Sequence, residues 1–181
     1  MDRPEDSLIA ELKAVFPAKR DRWMRDLVNS RQGEEPYRVA EAFADKDDWT
    51  TLDPEWLGGV PDGLGSAMSF LSDEAICFYL PAFIAAHLGG HLKAFTPDFP
   101  LTHGFDDAAR DKKISPKREG TWGEYAVKRW QHLTPDQCLA VVHYLEWVIA
   151  QDGRDFASGT FEALSSYWYP RIAETKPLHQ G

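Results

Sequence analysis

The chain has 181 residues, of which 43% are hydrophobic and 13% aromatic, so it can bury a core and is too apolar for a disordered segment. Its formal net charge of -9 argues against nucleic-acid binding and against adhesion to anionic membranes, because both require positive charge. The same charge is compatible with a basic protein partner. The polar residues 1–6 are followed by no apolar signal region, so we expect a cytoplasmic protein.

Two amphipathic segments come first along the chain. Apolar residues at helical spacing predict a helix over residues 5–16 and another over 36–44. The charged segment 20–28 between them is compatible with a surface helix or with an ordered loop. The glycine-rich stretch 58–69 then leads into the most apolar part of the chain.

A buried helix is predicted over residues 72–88. Ser72 is a suitable N-cap, and the stretch 75–86 that follows contains no charged residue. This apolar run is shorter than the roughly 20 residues of a membrane span, so it predicts a core helix. We expect a kink at Pro81, because proline removes one backbone hydrogen bond, and we expect the helix to stop at Gly89-Gly90.

The second half of the chain begins with an irregular region. Four proline or glycine breaks predict a long loop over residues 96–120, with one helical turn at 106–110. Three helices are predicted after it, over residues 121–132, 134–152 and 159–173. The second begins at the cap Thr134 and has an apolar stripe made of Cys138, Val141, Val142, Leu145, Val148 and Ile149. In the helix over residues 159–173, the spacing places on the inward face Phe161, Leu164, Tyr167, Trp168 and Ile172. Residues 174–181 are predicted to be a frayed tail.

No stretch alternates with the period of two that is typical of a strand. We therefore predict an all-α fold: a single domain over residues 1–181, built as an orthogonal bundle of five to seven helices around the Pro-kinked central helix. Cys77 and Cys138 lie within apolar helical patterns and are predicted to be buried thiols in a reducing compartment, although the sequence leaves a disulfide open.

Short motifs in three parts of the chain resemble those of a bacterial family of domains of unknown function. The first motif is the central Leu-Ser…Phe-Tyr-Leu-Pro-Ala pattern of Leu71–Phe83. An acidic-tryptophan pair precedes it at Asp48-Trp49, and a Leu-Thr-Pro-x-Gln opening to an apolar helix follows at Leu133–Gln137. The resemblance covers roughly residues 5–150. It implies a small, mostly helical cytoplasmic protein and implies no reaction.

An acidic cluster with two tryptophans precedes the central helix. It does not match a calcium loop, because the glycine at position six and the glutamate at position twelve are missing. One interpretation is a solvated turn in which Asp48 or Asp53 caps a helix. The other is a docking patch for a basic partner, with the tryptophans as aromatic anchors. The residues of this predicted patch are Asp45, Asp47, Asp48, Trp49, Asp53, Glu55 and Trp56.

Several pairs or groups have a spacing that could bind a metal ion, and each also has an ordinary structural interpretation. They are His87 with His91, His143 with Glu146, and Asp106 with Asp107 and Asp111. Gly89-Gly90 interrupts the first pair, which suits capping of a helix C-terminus. The second pair and the three aspartates suit a solvated surface. We therefore predict no cofactor and no metal site.

Three hypotheses follow for the function. The first is a non-enzymatic protein that binds a basic protein partner, for example an immunity or inhibitor protein. The second is a metal-dependent or hydrolytic helical enzyme whose site joins distant His, Asp and Glu residues. The third is an oligomerising module that uses the central helix as an interface. The sequence does not determine the oligomeric state.

Overall fold

The structure is a computed structural model that describes residues 3–22, 24, 26–30, 32–92, 94–117, 119–152 and 158–173. These residues form helices, turns and isolated bridges, with no strand among them, so the predicted all-α fold is confirmed. The chain divides into two compact units, Met1–Pro100 and Leu101–Gly181. The single domain over residues 1–181 stays a prediction, and the predicted tail 174–181 lies outside the described residues.

Eight α-helices lie in the described part of the chain, if the uninterrupted last one is counted once, and two 3-10 turns lie at Trp49–Thr51 and Ala67–Ser69. They are α1 (Pro4–Val15), α2 (Glu34–Phe43), α3 (Pro54–Gly59), α4 (Asp73–Leu88), α5 (Asp98–Thr102), α6 (Trp122–Trp130), α7 (Pro135–Asp152) and α8, which joins Ser158–Ala163, a π-helical turn at Leu164–Trp168, and Tyr169–Ala173. The number exceeds the predicted five to seven; without the short helices α3 and α5, six remain. The described residues of segment 20–28 contain no helix.

Helix α4 forms the core of the first unit, as predicted. The Ser72 hydroxyl accepts a hydrogen bond from the Ala75 amide at 3.1 Å and donates one to the Asp26 carbonyl at 2.7 Å. The first bond caps the helix, and the second connects its start to the loop that contains Asp26. Phe78 and Phe83 are only 7% and 0% exposed, and α1 and α3 pack against this helix. The helix continues through the buried Pro81.

The Arg20 side chain ties the loop after α1 to the end of α2. One guanidinium nitrogen donates to the Phe43 carbonyl and to the Tyr79 hydroxyl, both at 3.2 Å. The other donates to the Ala44 carbonyl at 2.8 Å and to the Asp47 carboxylate at 2.5 Å. Because the last carbonyls of a helix have no partner within it, Arg20 satisfies groups that α2 leaves open.

The buried Tyr79 is expected to make the protein less stable at alkaline pH. Its hydroxyl donates to the Lys46 carbonyl at 2.6 Å, and burial raises the pKa of Tyr79 from 10.0 to about 12. The folded state therefore favours the neutral phenol, a stabilisation that is complete below pH 10 and is lost as the pH rises through about 12. We expect the urea midpoint of the wild type to fall more steeply over this range than that of Tyr79→Phe. The exposed Tyr37→Phe should keep the wild-type profile, and identical profiles for all three proteins would contradict this assignment.

The second unit contains the apolar stripe predicted for α7. Five of its six members are buried, namely Cys138, Val141, Val142, Leu145 and Val148, and Ile149 is half-buried. The helix begins at a reciprocal capping box, in which the Gln137 amide donates to the Thr134 hydroxyl at 3.3 Å and the Thr134 amide donates to the Gln137 side chain at 2.9 Å. The local sequence therefore predicted both the start and the buried face of this helix.

The last helix packs against the start of the second unit. Trp168 is fully buried, and its indole N–H donates to the Leu101 carbonyl at 2.9 Å. Phe105 stacks on Tyr167 with ring centroids 4.1 Å apart. Phe161 was predicted to face inward and is instead 45% exposed. The reason is the π-helical turn, which has more residues per turn than an α-helix and so rotates Trp168 out of line with Phe161.

The predicted irregular region 96–120 contains ordered elements. Helix α5 lies at its start, and the predicted turn at 106–110 is present, with the Arg110 amide donating to the Asp106 carbonyl at 3.0 Å. Farther on, Lys113 and Thr121 form an antiparallel bridge.

Candidate interaction surface

The negative charge of the protein is concentrated in its first unit. Residues 1–100 contain 18 acidic and ten basic side chains, a net charge of -8, whereas residues 101–181 have a net charge of only -1. Residues 41–62, here called the acidic segment, contain seven carboxylates and a single Lys or Arg residue, Lys46. The acidic segment runs from the last turns of α2 through α3 to the turn that follows it.

Two carboxylates of the acidic segment are helix caps, as the first interpretation of the cluster predicted. The Asp48 side chain accepts from the Thr50 amide at 3.0 Å, and Asp53 accepts from the Glu55 amide at 3.0 Å. The hydrogen bond from the Thr50 hydroxyl is the main cause that lowers the pKa of Asp48. Because these oxygens satisfy backbone donors, Asp48 and Asp53 have a structural role whatever binds the segment.

The two tryptophans of the predicted patch have different environments. Trp49 is only 3% exposed, and its indole N–H donates to the Pro17 carbonyl at 2.9 Å. The prediction that it anchors a partner is therefore wrong, because its ring belongs to the core. Trp56 is half-buried, with its ring centroid 5.0 Å from that of Phe43. Lys46 places its ammonium 5.4 Å from the centroid of the same indole, and the role of Trp56 as an anchor stays a prediction.

The other carboxylates of the predicted patch each pair with a basic or titratable side chain. Asp45 accepts from Lys46 at 2.6 Å, Asp47 from Arg20 at 2.5 Å, and Glu55 lies 2.7 Å from His91 Nδ1. The hydrogen bond from Lys46 is the main cause that lowers the pKa of Asp45. The three carboxylate side chains nevertheless remain 78%, 72% and 77% exposed, so each can still accept donors from solvent or from a partner.

An open groove of about 630 Å3 lies beside Trp56 within the first unit. It runs between α2 and the turn after α3. Its lining residues are Arg38, Glu41, Ala42, Trp56, Gly59, Val60, Pro61, Asp62 and Gly63. Arg38 pairs with Asp62 and, at 3.1 Å, with Glu34. Apart from Trp56, sequence analysis missed these residues as site candidates, because separate helices bring them together and no local motif marks them.

The histidines proposed as metal ligands have other interactions. His91 lies beyond the end of α4 and pairs with Glu55, whereas His87 lies in the last turn of α4. On α7, Glu146 accepts from the Tyr169 hydroxyl at 3.0 Å and is exposed, while His143 is half-buried. Among the described residues, no three His, Cys, Asp or Glu side chains form a group that could hold a metal ion.

The three aspartates of the predicted loop are likewise dispersed. The Asp106 carboxylate accepts from the Gly104 amide at 3.2 Å and from the Ala109 amide at 2.9 Å. Asp107 pairs with Arg110, and Asp111 is exposed. Their observed interactions are those of a turn and a surface ion pair.

The fold and this surface define a small all-α protein whose negative charge is concentrated on its first unit, which also contains the half-buried Trp56. The family model described as "Family of unknown function (DUF6714)" matches residues 6–172, and the chain belongs to this family. No curated protein and no solved structure matches the chain significantly. Within the described ranges, no helix is both long enough and apolar enough to span a bilayer.

Proposed function

We propose that the protein binds a basic protein partner through the acidic segment, residues 41–62. One observation carries this proposal: the segment contains seven carboxylates and only one lysine, and the side chains of Asp45, Asp47 and Glu55 are highly exposed. These carboxylates are held by structured neighbours, so their charge is presented from fixed positions. The half-buried Trp56 adds an aromatic surface of the kind that is enriched at protein interfaces.

Charge complementarity determines how such a surface would act. A concentrated negative field accelerates the encounter with a positively charged partner and disfavours acidic ones. Since exposed charges are screened beyond about 8 Å at physiological ionic strength, association should slow as salt is added. In the specific form of the proposal, the protein is a bacterial cytoplasmic immunity or inhibitor protein that masks a basic surface of its target.

The test is to capture the partner and then to remove charge from the acidic segment. The immobilised protein is incubated with native lysate at low ionic strength, and each retained protein is then produced separately and titrated by calorimetry. The test variant is the triple substitution Asp45→Asn, Asp47→Asn and Glu55→Gln, which keeps side-chain acceptors. Its matched control is Asp111→Asn, Glu119→Gln and Asp136→Asn, which removes three charges from the second unit.

We expect a basic partner that binds the wild type and the control equally and the test variant at least about tenfold more weakly, equivalent to about 1.4 kcal/mol. Equal binding by both triple variants would contradict the proposal, and so would recovery of no basic partner at any salt concentration.

A further inference from the structure

The groove beside Trp56 combines an apolar lining with carboxylates. Ala42, Val60 and Pro61 provide aliphatic surface, while Glu41 and Asp62 add negative charge. Arg38, the basic residue in the lining, is itself paired with Asp62 and with Glu34, so its charge is already matched inside the unit. A ligand that complements this groove has an apolar stem and a positively charged end.

Lys46 shows that this neighbourhood accepts such a group. Its ammonium lies 5.4 Å from the Trp56 ring centroid and 2.6 Å from an Asp45 oxygen. An alkylammonium is thus held between an indole and a carboxylate, an arrangement that is stabilised by cation–π attraction and by a charge-assisted hydrogen bond. A partner's lysine or arginine would meet the same two kinds of group in the groove, with Trp56 as the shared wall.

The dimensions of the groove favour a segment of protein chain. Its volume of about 630 Å3 is large enough for several side chains. A Cβ added at Gly59 or Gly63 would meet no atom within 4 Å, so another backbone can approach the groove closely at this edge. The residues next to the lining in the chain, Tyr37 and Leu64, are large apolar side chains that are 57% and 58% exposed.

We propose that the groove binds a lysine or arginine side chain, together with its flanking residues, from an extended segment of the basic partner. The aliphatic stem lies along Val60 and Pro61, and the cationic end lies near Glu41 and the Trp56 ring. This inference rests on the proposed function and assigns the partner a specific point of contact.

Gly59 permits the groove to be blocked selectively. Since its position has open space, Gly59→Phe should place an aromatic ring in the groove, whereas Gly59→Ala adds only a methyl group and should obstruct the groove less. Glu41→Gln removes one lining charge, and Glu119→Gln removes a charge from the second unit. Urea denaturation of all four variants would establish that each is folded before binding is measured.

The probes are three acetylated, amidated hexapeptides that contain two leucines and either two arginines, two lysines or two citrullines. Binding is followed in the labelled full-length protein by NMR, through the Trp56 indole N–H and the Gly59 and Gly63 amides. We expect the arginine and lysine peptides to shift these signals, and the citrulline peptide to bind at least about tenfold more weakly. Gly59→Phe should abolish binding, Gly59→Ala and Glu41→Gln should weaken it less, and Glu119→Gln should retain wild-type affinity.

Equal binding of the citrulline peptide, unchanged binding by folded Gly59→Phe, or no shift at millimolar peptide would overturn the assignment of the groove. Measurements with the captured partner distinguish a failure of the groove assignment from a failure of the proposed function. If the partner still binds Gly59→Phe but is lost by the triple variant of the acidic segment, the groove assignment fails and the proposed function stands. If neither change affects the partner, both fail.

Discussion

Replacement of Trp49 by alanine is expected to lower the free energy of unfolding by about 4 kcal/mol. The indole is only 3% exposed and donates to the Pro17 carbonyl at 2.9 Å, so its removal leaves both a cavity and an unsatisfied carbonyl. Trp56→Ala should cost less, because that ring is partly exposed and no backbone carbonyl among the described residues depends on its indole N–H. The two substitutions are chemically identical, which makes Trp56→Ala the matched control.

Urea denaturation at neutral pH measures the difference, provided that the dependence of the unfolding free energy on urea is unchanged. Trp49→Phe keeps an aromatic ring but loses the indole donor and part of the ring volume, so it should recover only part of the stability that Trp49→Ala loses. Equal losses for Trp49→Ala and Trp56→Ala would show that Trp49 is not a core residue. In the partner-binding assay, Trp56→Ala should instead have the larger effect of the two.

Arg20→Ala is expected to lower the free energy of unfolding by about 3 kcal/mol. The side chain is 13% exposed and satisfies the carbonyls of Phe43 and Ala44 and the hydroxyl of Tyr79. Its loss removes the cation from the part-buried Phe43 carbonyl and Tyr79 hydroxyl and from the exposed Ala44 carbonyl. The Asp47 carboxylate adds little to the estimate, because it is 72% exposed and its attraction is screened by solvent.

Two controls test this assignment to Arg20. Arg20→Lys keeps the positive charge but not the planar fork that reaches several acceptors, so it should recover only part of the lost stability. Arg3→Ala removes an arginine from the exposed Arg3–Asp6 pair and should leave the urea midpoint unchanged. Full recovery by lysine would indicate that charge alone matters, and an equal loss for Arg3→Ala would contradict the role of the part-buried network.

The starts and ends of the helices could be predicted closely because their signals are local. The cap at Ser72, the capping box of Thr134 with Gln137, and the proline at the first position of α3 act within one turn of their own helix. The prediction for Phe161 was wrong because a π-helical turn altered the phase of a helix whose sequence looks regular. Nothing in the local sequence indicated that turn.

The candidate site was predictable only in part, for the same physical reason. The sequence located the acidic segment and the capping roles of Asp48 and Asp53, since charge and caps can be identified within a few residues. It did not distinguish Trp49 from Trp56, because both follow carboxylates in similar polar surroundings. It also did not identify the groove, whose lining comes from α2 and from the turn after α3.

The amino-acid sequence by itself determined the all-α class, the buried central helix and the concentration of negative charge, since composition, periodicity and capping are properties of neighbouring residues. The tertiary structure alone decided which tryptophan is core and which is surface, and which cation closes the end of α2. Arg20 reaches Tyr79 across 59 positions of the chain. Burial and hydrogen bonding over such separations depend on how the helices pack, and local patterns do not encode that packing.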